Sequence, residues 1–180
     1  MPIVYNTDKV SDVNEKKEFK PLEEGQYKAN IDELQVPRED LFIEKTNCLV
    51  DILKMRLSIS KENNPQLDRD RKIFADIFIT KERDSKPPTE KDNIPFHAFL
   101  TSIDYPVGKT EVENQVVIPG GISEIDDDVL IGKPVLVKVG HRQYTSNDGE
   151  KVTTEKVVYW DKWIGGTQII ATANDDDLPF

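Results

Sequence analysis

A chain of 180 residues with one cysteine, Cys48, cannot close an internal disulfide or assemble a cysteine-cluster zinc site. That scarcity fits a reducing, cytoplasmic setting. Histidine is almost as scarce: His97 and His141 lie far apart in sequence, and no ordered catalytic or metal-binding set forms around either. Long apolar runs are missing, and nothing approaches the roughly 20 residues of a membrane span. Met1–Lys20 has no apolar h-region, so it does not read as a signal peptide. Excess positive charge is also missing. The formal net charge is −10, from 24 Lys and Arg against 34 Asp and Glu, whereas a protein that simply coats nucleic acid is expected to be basic. The deficit is uneven, because Leu41–Thr172 carries 18 cations against 21 acids. A basic face can therefore coexist with acidic arms.

What is present is a series of alternating segments. Residues 1–20 are polar and without period, which predicts a flexible N-terminal arm. Pro21–Gly25 reads as a turn. Gln26–Leu34 then places Tyr27, Ala29 and Ile31 on one side, as a strand does. Val36–Lys45, with Pro37, reads as a loop. Cys48–Ser60 is the clearest strand, with Leu53, Met55, Leu57 and Ile59 facing one way and Lys54, Arg56, Ser58 and Ser60 the other. A polar stretch with Asn63-Asn64-Pro65 leads to a third strand, Arg71–Thr80. Its inner row is Ile73, Ala75, Ile77 and Ile79; Lys72, Phe74, Asp76 and Phe78 form the outer row. Ile94–Tyr105 has helical spacing, with Pro95 suited to the first turn. Ile122–Ile131 suggests a second short helix. Pro134–His141 and Lys151–Trp160 are strands joined by the turn Asn147-Asp148-Gly149.

The order strand, strand, strand, helix, strand, strand predicts a mainly β protein with a five-stranded OB-fold barrel, which presents strands 2 and 3 and certain loops to oligonucleotides; the same elements could build another small barrel. The barrel domain is expected over residues 21–165, and an acidic tail over 166–180.

Signs of catalysis are weak. Gly108-Lys109-Thr110 imitates the end of a phosphate-binding loop, but Ile103 occupies the place of the required first glycine. Asp126-Asp127-Asp128 lacks the spacing of a calcium loop and reads as a solvated helix face. His97, between Phe96 and Phe99, suggests a core or capping role. Cys48, at the start of a strand, reads as buried. No enzyme, cofactor or metal site is expected.

Single-strand binding needs flat aromatic faces and cations on one side of a sheet. The outer rows supply Lys54, Arg56, Lys72, Phe74 and Phe78, and the last hairpin adds Lys138, Arg142, Tyr144, Lys156, Tyr159 and Trp160. Two alternatives stand beside this: helix or tail covers the Phe pair, and Trp160 or Trp163 belongs to the core. The tail Asp175-Asp176-Asp177-Leu178-Pro179-Phe180 combines an acidic run with a final aromatic residue, which suits capture in a partner's apolar, basic-rimmed pocket.

That tail resembles the C-terminal tip of bacterial and phage single-stranded DNA-binding proteins. Glu24-Gly25-Gln26-Tyr27-Lys28-Ala29 is similar to the opening strand of a phage-encoded family of such proteins. The stretch Ile131–His141 is similar to that family's strand before the last hairpin, and Tyr159-Trp160 falls near its closing strand. The resemblance implies an OB-fold, sequence-tolerant binding of single-stranded DNA in phage replication or recombination, and recruitment of replication proteins through Asp175–Phe180. Bacterial relatives have a long linker before the tip, whereas here only Ile164–Asn174 separates it from Trp163. A tail so placed is expected to compete with DNA for the barrel's own basic face. The rival expectation is an acidic protein-interaction module, an adaptor or inhibitor, with the barrel as scaffold and the tail as ligand. Pairing of barrel edges into a homo-oligomer is open in both.

Overall fold

A computed structural model describes residues 20–105, 108–109, 116–117 and 122–169. The expected N-terminal arm, apart from Lys20, and the tip Asp175–Phe180 lie outside the described residues.

The protein is mainly β. The described strands are β1 (Gly25–Leu34), β2 (Arg38–Ile43), β3 (Cys48–Ile59), β4 (Arg71–Arg83), β5 (Gly108–Lys109), β6 (Val116–Val117), β7 (Pro134–Thr145) and β8 (Lys151–Asp161). Helix α1 (Ile94–Ser102) follows β4, and the four-residue α2 (Asp127–Leu130) precedes β7. Six strands form one sheet along the path β2-β3-β1-β7-β8, with β4 paired to β3; β5 and β6 pair separately. All of these pairings are antiparallel. β4 runs along the whole of β3, so β1 and β2 share the opposite edge of β3.

The alternation of each strand fixes its buried row. Leu53, Met55, Leu57 and Ile59 of β3 meet Ile73, Ala75 and Ile77 of β4, Tyr27, Ala29 and Ile31 of β1, and Val135, Val137 and Val139 of β7 in one core. Each buried Leu, Ile, Val or Met among them contributes about 1.5–3 kcal/mol of burial free energy. Helix α1 adds Phe96, Phe99 and Leu100 to this core. It ends in a Schellman arrangement: Tyr105 N–H donates to Leu100 O, Asp104 N–H donates to Thr101 O, and Asp104 takes φ +51°. His97 falls on the exposed side of this helix, so the expected core or capping role is not met.

Three asparagine side chains complete the sheet where strands run out. Asn64, in the β3–β4 loop, accepts Lys28 N–H (2.9 Å) and donates to Lys28 O and Ser60 O (both 2.8 Å). It stands in for a neighbouring strand at β1. Asn93 does the same for Thr80 on β4, with contacts of 2.7 and 2.9 Å. Asn30 donates to Gly132 O and Thr167 O, which brings the segment after β8 back onto the sheet.

β4 and β8 have no strand pairing with each other. Side chains hold the seam between them instead. Glu155 accepts from Arg71 Nη2 and from Leu22 N–H, each at 3.0 Å. Arg71 also donates to Lys20 O (3.1 Å), and His141 Nε2 bonds Leu22 O. Leu22 itself is buried in the core.

Three further expectations change. Val36–Lys45 is not all loop, because Arg38–Ile43 forms β2 and makes the sheet six-stranded. Its strand signal is masked by Arg38-Glu39-Asp40 and by a register shift between Arg38 and Leu41. β2 forms because Leu41 and Ile43 pack with Cys48, Val50 and Ile52 in a second small apolar cluster. The expected helix over Ile122–Ile131 is split into a 3-10 turn, Ile122–Glu124, and α2, whose N-cap Asp126 accepts Asp128 N–H. The segment assigned to the tail begins against the sheet: Gln168 Nε2 donates to Ile131 O, and Ile169 N–H donates to Gly132 O.

Candidate nucleic-acid interface

Apart from Trp160 and the tip, the expected site residues fall into two patches on the outer face of the sheet. The first is the β3–β4 surface. Cross-strand pairs Ser58 with Lys72, Arg56 with Phe74, Lys54 with Asp76 and Ile52 with Phe78 set its layout. Phe74 is 61% exposed and Phe78 48% exposed. Neither is covered by α1 or by the described part of the segment after β8.

The cations of this patch are largely engaged. Between Ile31 and Glu33 the β1–β3 register shifts, so that Asp32 and Glu33 together oppose Arg56. Such a bulge inserts one residue and re-aims side chains. Arg56 Nε donates to Asp32 Oδ2 (2.7 Å), Arg56 Nη2 pairs with Glu33 Oε2 (3.0 Å), and Lys72 Nζ reaches Asp32 Oδ2 (3.1 Å). Partial burial pushes the Asp32 carboxyl upward, but its bonds to Lys72 and Arg56 outweigh that and hold it below the ordinary carboxylate value. Lys54 makes no ion pair among the described residues.

The second patch is the β7–β8 hairpin. Beyond Gly140 this ribbon leaves the core, and His141–Thr145 are all exposed. On its outer row Lys138 opposes Tyr159, Gly140 opposes Lys156, Arg142 opposes Thr154, and Tyr144 opposes Val152. Tyr144 is 49% exposed and Tyr159 51%. Among the described residues Lys138, Arg142 and Lys156 make no ion pair; Arg142 Nε donates only to Thr154 Oγ1, at 3.3 Å. Cations and flat aromatic faces thus alternate on one accessible ribbon, the combination that holds phosphates and stacks bases.

Trp160 does not join this surface. It is 3% exposed and meets Phe99 edge-on, with ring centroids 4.9 Å apart. It belongs to the core and cannot serve as a stacking platform. Tyr159 takes that position instead. A register shift between Lys138 and Val139 sets Lys138 against Tyr159 and leaves Val158 as the extra residue. The signal was present in the sequence: of two adjacent strand residues only one faces the core. Trp163 is half-buried, with Lys28 Nζ 5.9 Å from its ring centroid.

Among the described residues no group of three or more His, Cys, Asp or Glu is placed to hold a metal ion, and no helix is long and apolar enough to cross a membrane. His141 is occupied by Leu22 O, and the Cys48 thiol is buried, donating to Thr46 O. Comparison with known proteins finds no matching family model, no matching curated protein and no matching solved structure.

Proposed function

We propose that this protein binds single-stranded DNA without strong sequence preference and performs no chemistry on it. The observation that carries the proposal is the β7–β8 hairpin, where Lys138, Arg142 and Lys156, unpaired among the described residues, alternate with exposed Tyr144 and Tyr159. Phe74, Phe78 and Lys54 extend the stacking and charge onto the β3–β4 surface. An OB barrel is part of this reading; the antiparallel path β4-β3-β1-β7-β8, with a helix between β4 and β7, supports it, and side chains bridge the seam between β4 and β8. By the resemblance of its tail, the protein serves phage DNA replication or recombination in the host cytoplasm. Asp175–Phe180 recruits partner proteins and competes with DNA for the cationic surface.

The test is a titration of labelled oligo-dT across salt, read by anisotropy, with full-length and tail-deleted protein. Log affinity should fall with log salt by about 0.7 per phosphate contact. Tyr144→Ala and Tyr159→Ala should each cost about 1–3 kcal/mol if a base stacks there. Removing Asp175–Phe180 should leave binding intact or tighten it. Absent or salt-insensitive binding overturns the proposal.

One observation favours the rival class. Arg56 and Lys72 are already neutralised within a chain of net charge −10, as suits an acidic interaction module. In that case Phe180→Ala abolishes partner capture, while Lys138→Glu and Lys156→Glu change nothing.

A further inference from the structure

The acids at the β1 bulge are placed unusually for a binding surface. A single inserted residue turns both Asp32 and Glu33 toward Arg56. Their carboxylate oxygens sit 2.7 and 3.0 Å from two guanidinium nitrogens, and Asp32 also reaches Lys72 at 3.1 Å. A guanidinium fork and an ammonium converging on one set of anionic oxygens is how proteins hold a phosphate. Phe74 lies directly across from Arg56 and is largely exposed. A base stacked on Phe74 would bring its backbone phosphate toward this same pair of cations.

We propose that Asp32 and Glu33 are built-in phosphate surrogates, which occupy the anion positions on Arg56 and Lys72 and are displaced when a single strand crosses the β3–β4 surface. The inference rests on the single-strand reading above and adds a specificity device to it. Ligands that approach with isolated charges gain little, because they exchange one anion for another. A strand that also stacks on Phe74 and engages the β7–β8 hairpin gains enough to displace the carboxylates. Lys54 and Asp76, facing each other on the same surface without an ion pair, lie outside the exchange.

The experiment measures oligo-dT affinity against salt for wild type, Asp32→Asn, Glu33→Gln, the double variant and Asp76→Asn, with thermal melts to verify folding. In the wild-type complex each displaced carboxylate regains a counterion and offsets the release from the phosphate that replaces it; Asn and Gln remove that offset. With two exchanged contacts, the salt slope of the double variant steepens by about 1.4, at 0.7 per phosphate. Its affinity advantage over wild type then shrinks about sevenfold between 50 and 200 mM salt. Asp32→Asn alone gives a smaller steepening, and Glu33→Gln the smallest. Asp76→Asn removes one negative charge from the same face and should leave the slope unchanged. A double variant with the wild-type slope, or an Asp76→Asn slope that matches it, overturns the surrogate role while leaving single-strand binding in place. If neither wild type nor the double variant binds oligo-dT, the functional proposal itself falls, and the surrogate role with it. Should the double variant lose its melting transition, Glu33→Gln, which keeps both Asp32 bonds, decides by its slope: no change overturns the inference.

Discussion

Replacing Asn64 by Ala should destabilise the protein far more than its loop position suggests. The side chain is 2% exposed and makes three hydrogen bonds of 2.8–2.9 Å, two to the Lys28 peptide and one to Ser60 O. β3 pairs with β1 only as far as Asn30 opposite Ser58, so at Lys28 the amide takes the place of a strand. A net contribution of about 0.5–1.5 kcal/mol per bond makes the loss about 3 kcal/mol. At roughly 2–4 °C per kcal/mol for a chain of this size, Tm should fall by about 6–12 °C. Urea unfolding followed by circular dichroism should show a lower midpoint with an unchanged slope. Asn64→Asp is the sharper control. It retains the acceptor for Lys28 N–H, loses both donors and buries a charge, so at pH 7 it should be at least as harmful as Ala. A loss below about 1 kcal/mol for Ala, or a wild-type midpoint for Asp, would refute the idea that this side chain substitutes for a strand.

Three other outcomes follow from the geometry. The Asp32 carboxyl is held below its unfolded value, so its stabilising contribution is complete above about pH 4 and disappears as pH falls through the lower, folded value; the stability gap between wild type and Asp32→Asn should close over that acid range in urea melts. Gly132→Ala places a Cβ 2.0 Å from Ile169 O at a residue with φ +81°, so the variant should detach the segment after β8 and expose Trp163–Ile169 to limited proteolysis. Trp160→Ala empties a core site packed on Phe99 and should cost about 3–5 kcal/mol by urea denaturation, whereas a loss under 1 kcal/mol would contradict its burial.

The long strands and α1 were legible because their alternation or helical spacing is clean. Leu53, Met55, Leu57 and Ile59 admit only one strand face, and Phe96, Phe99 and Leu100 only one helix face. β2 was not legible, because its apolar partners, Cys48, Val50 and Ile52, lie on the next strand and a register shift interrupts its own pattern. The β1 bulge left a trace that simple alternation overlooks. Tyr27, Ala29 and Ile31 face the core, then the phase slips, so that Leu34, opposite Met55, packs there instead. Of the expected interface, Phe74, Phe78, Lys138, Arg142, Tyr144 and Lys156 are exposed where alternation puts them. The capture of Arg56 and Lys72 by Asp32 and Glu33 depends on a one-residue insertion that only pairing reveals. The exchange of Trp160 for Tyr159 depends on which of two adjacent aromatics the core accepts.

The Glu155 contacts also bear on how the chain folds. This one carboxylate joins Leu22, 133 residues away in sequence, to Arg71, 84 residues away. Contacts so distant are late to form, since chain entropy must be overcome before they return any stability. The β3–β4 and β7–β8 hairpins join strands that are neighbours in sequence and can assemble first. The β4–β8 boundary then waits for residues from near the start and near the end of the described chain. Held by side chains instead of a backbone ladder, it is also the boundary that local opening can breach without breaking strand pairing. The same joint that completes the fold is therefore expected to form late in folding and to open first in hydrogen exchange.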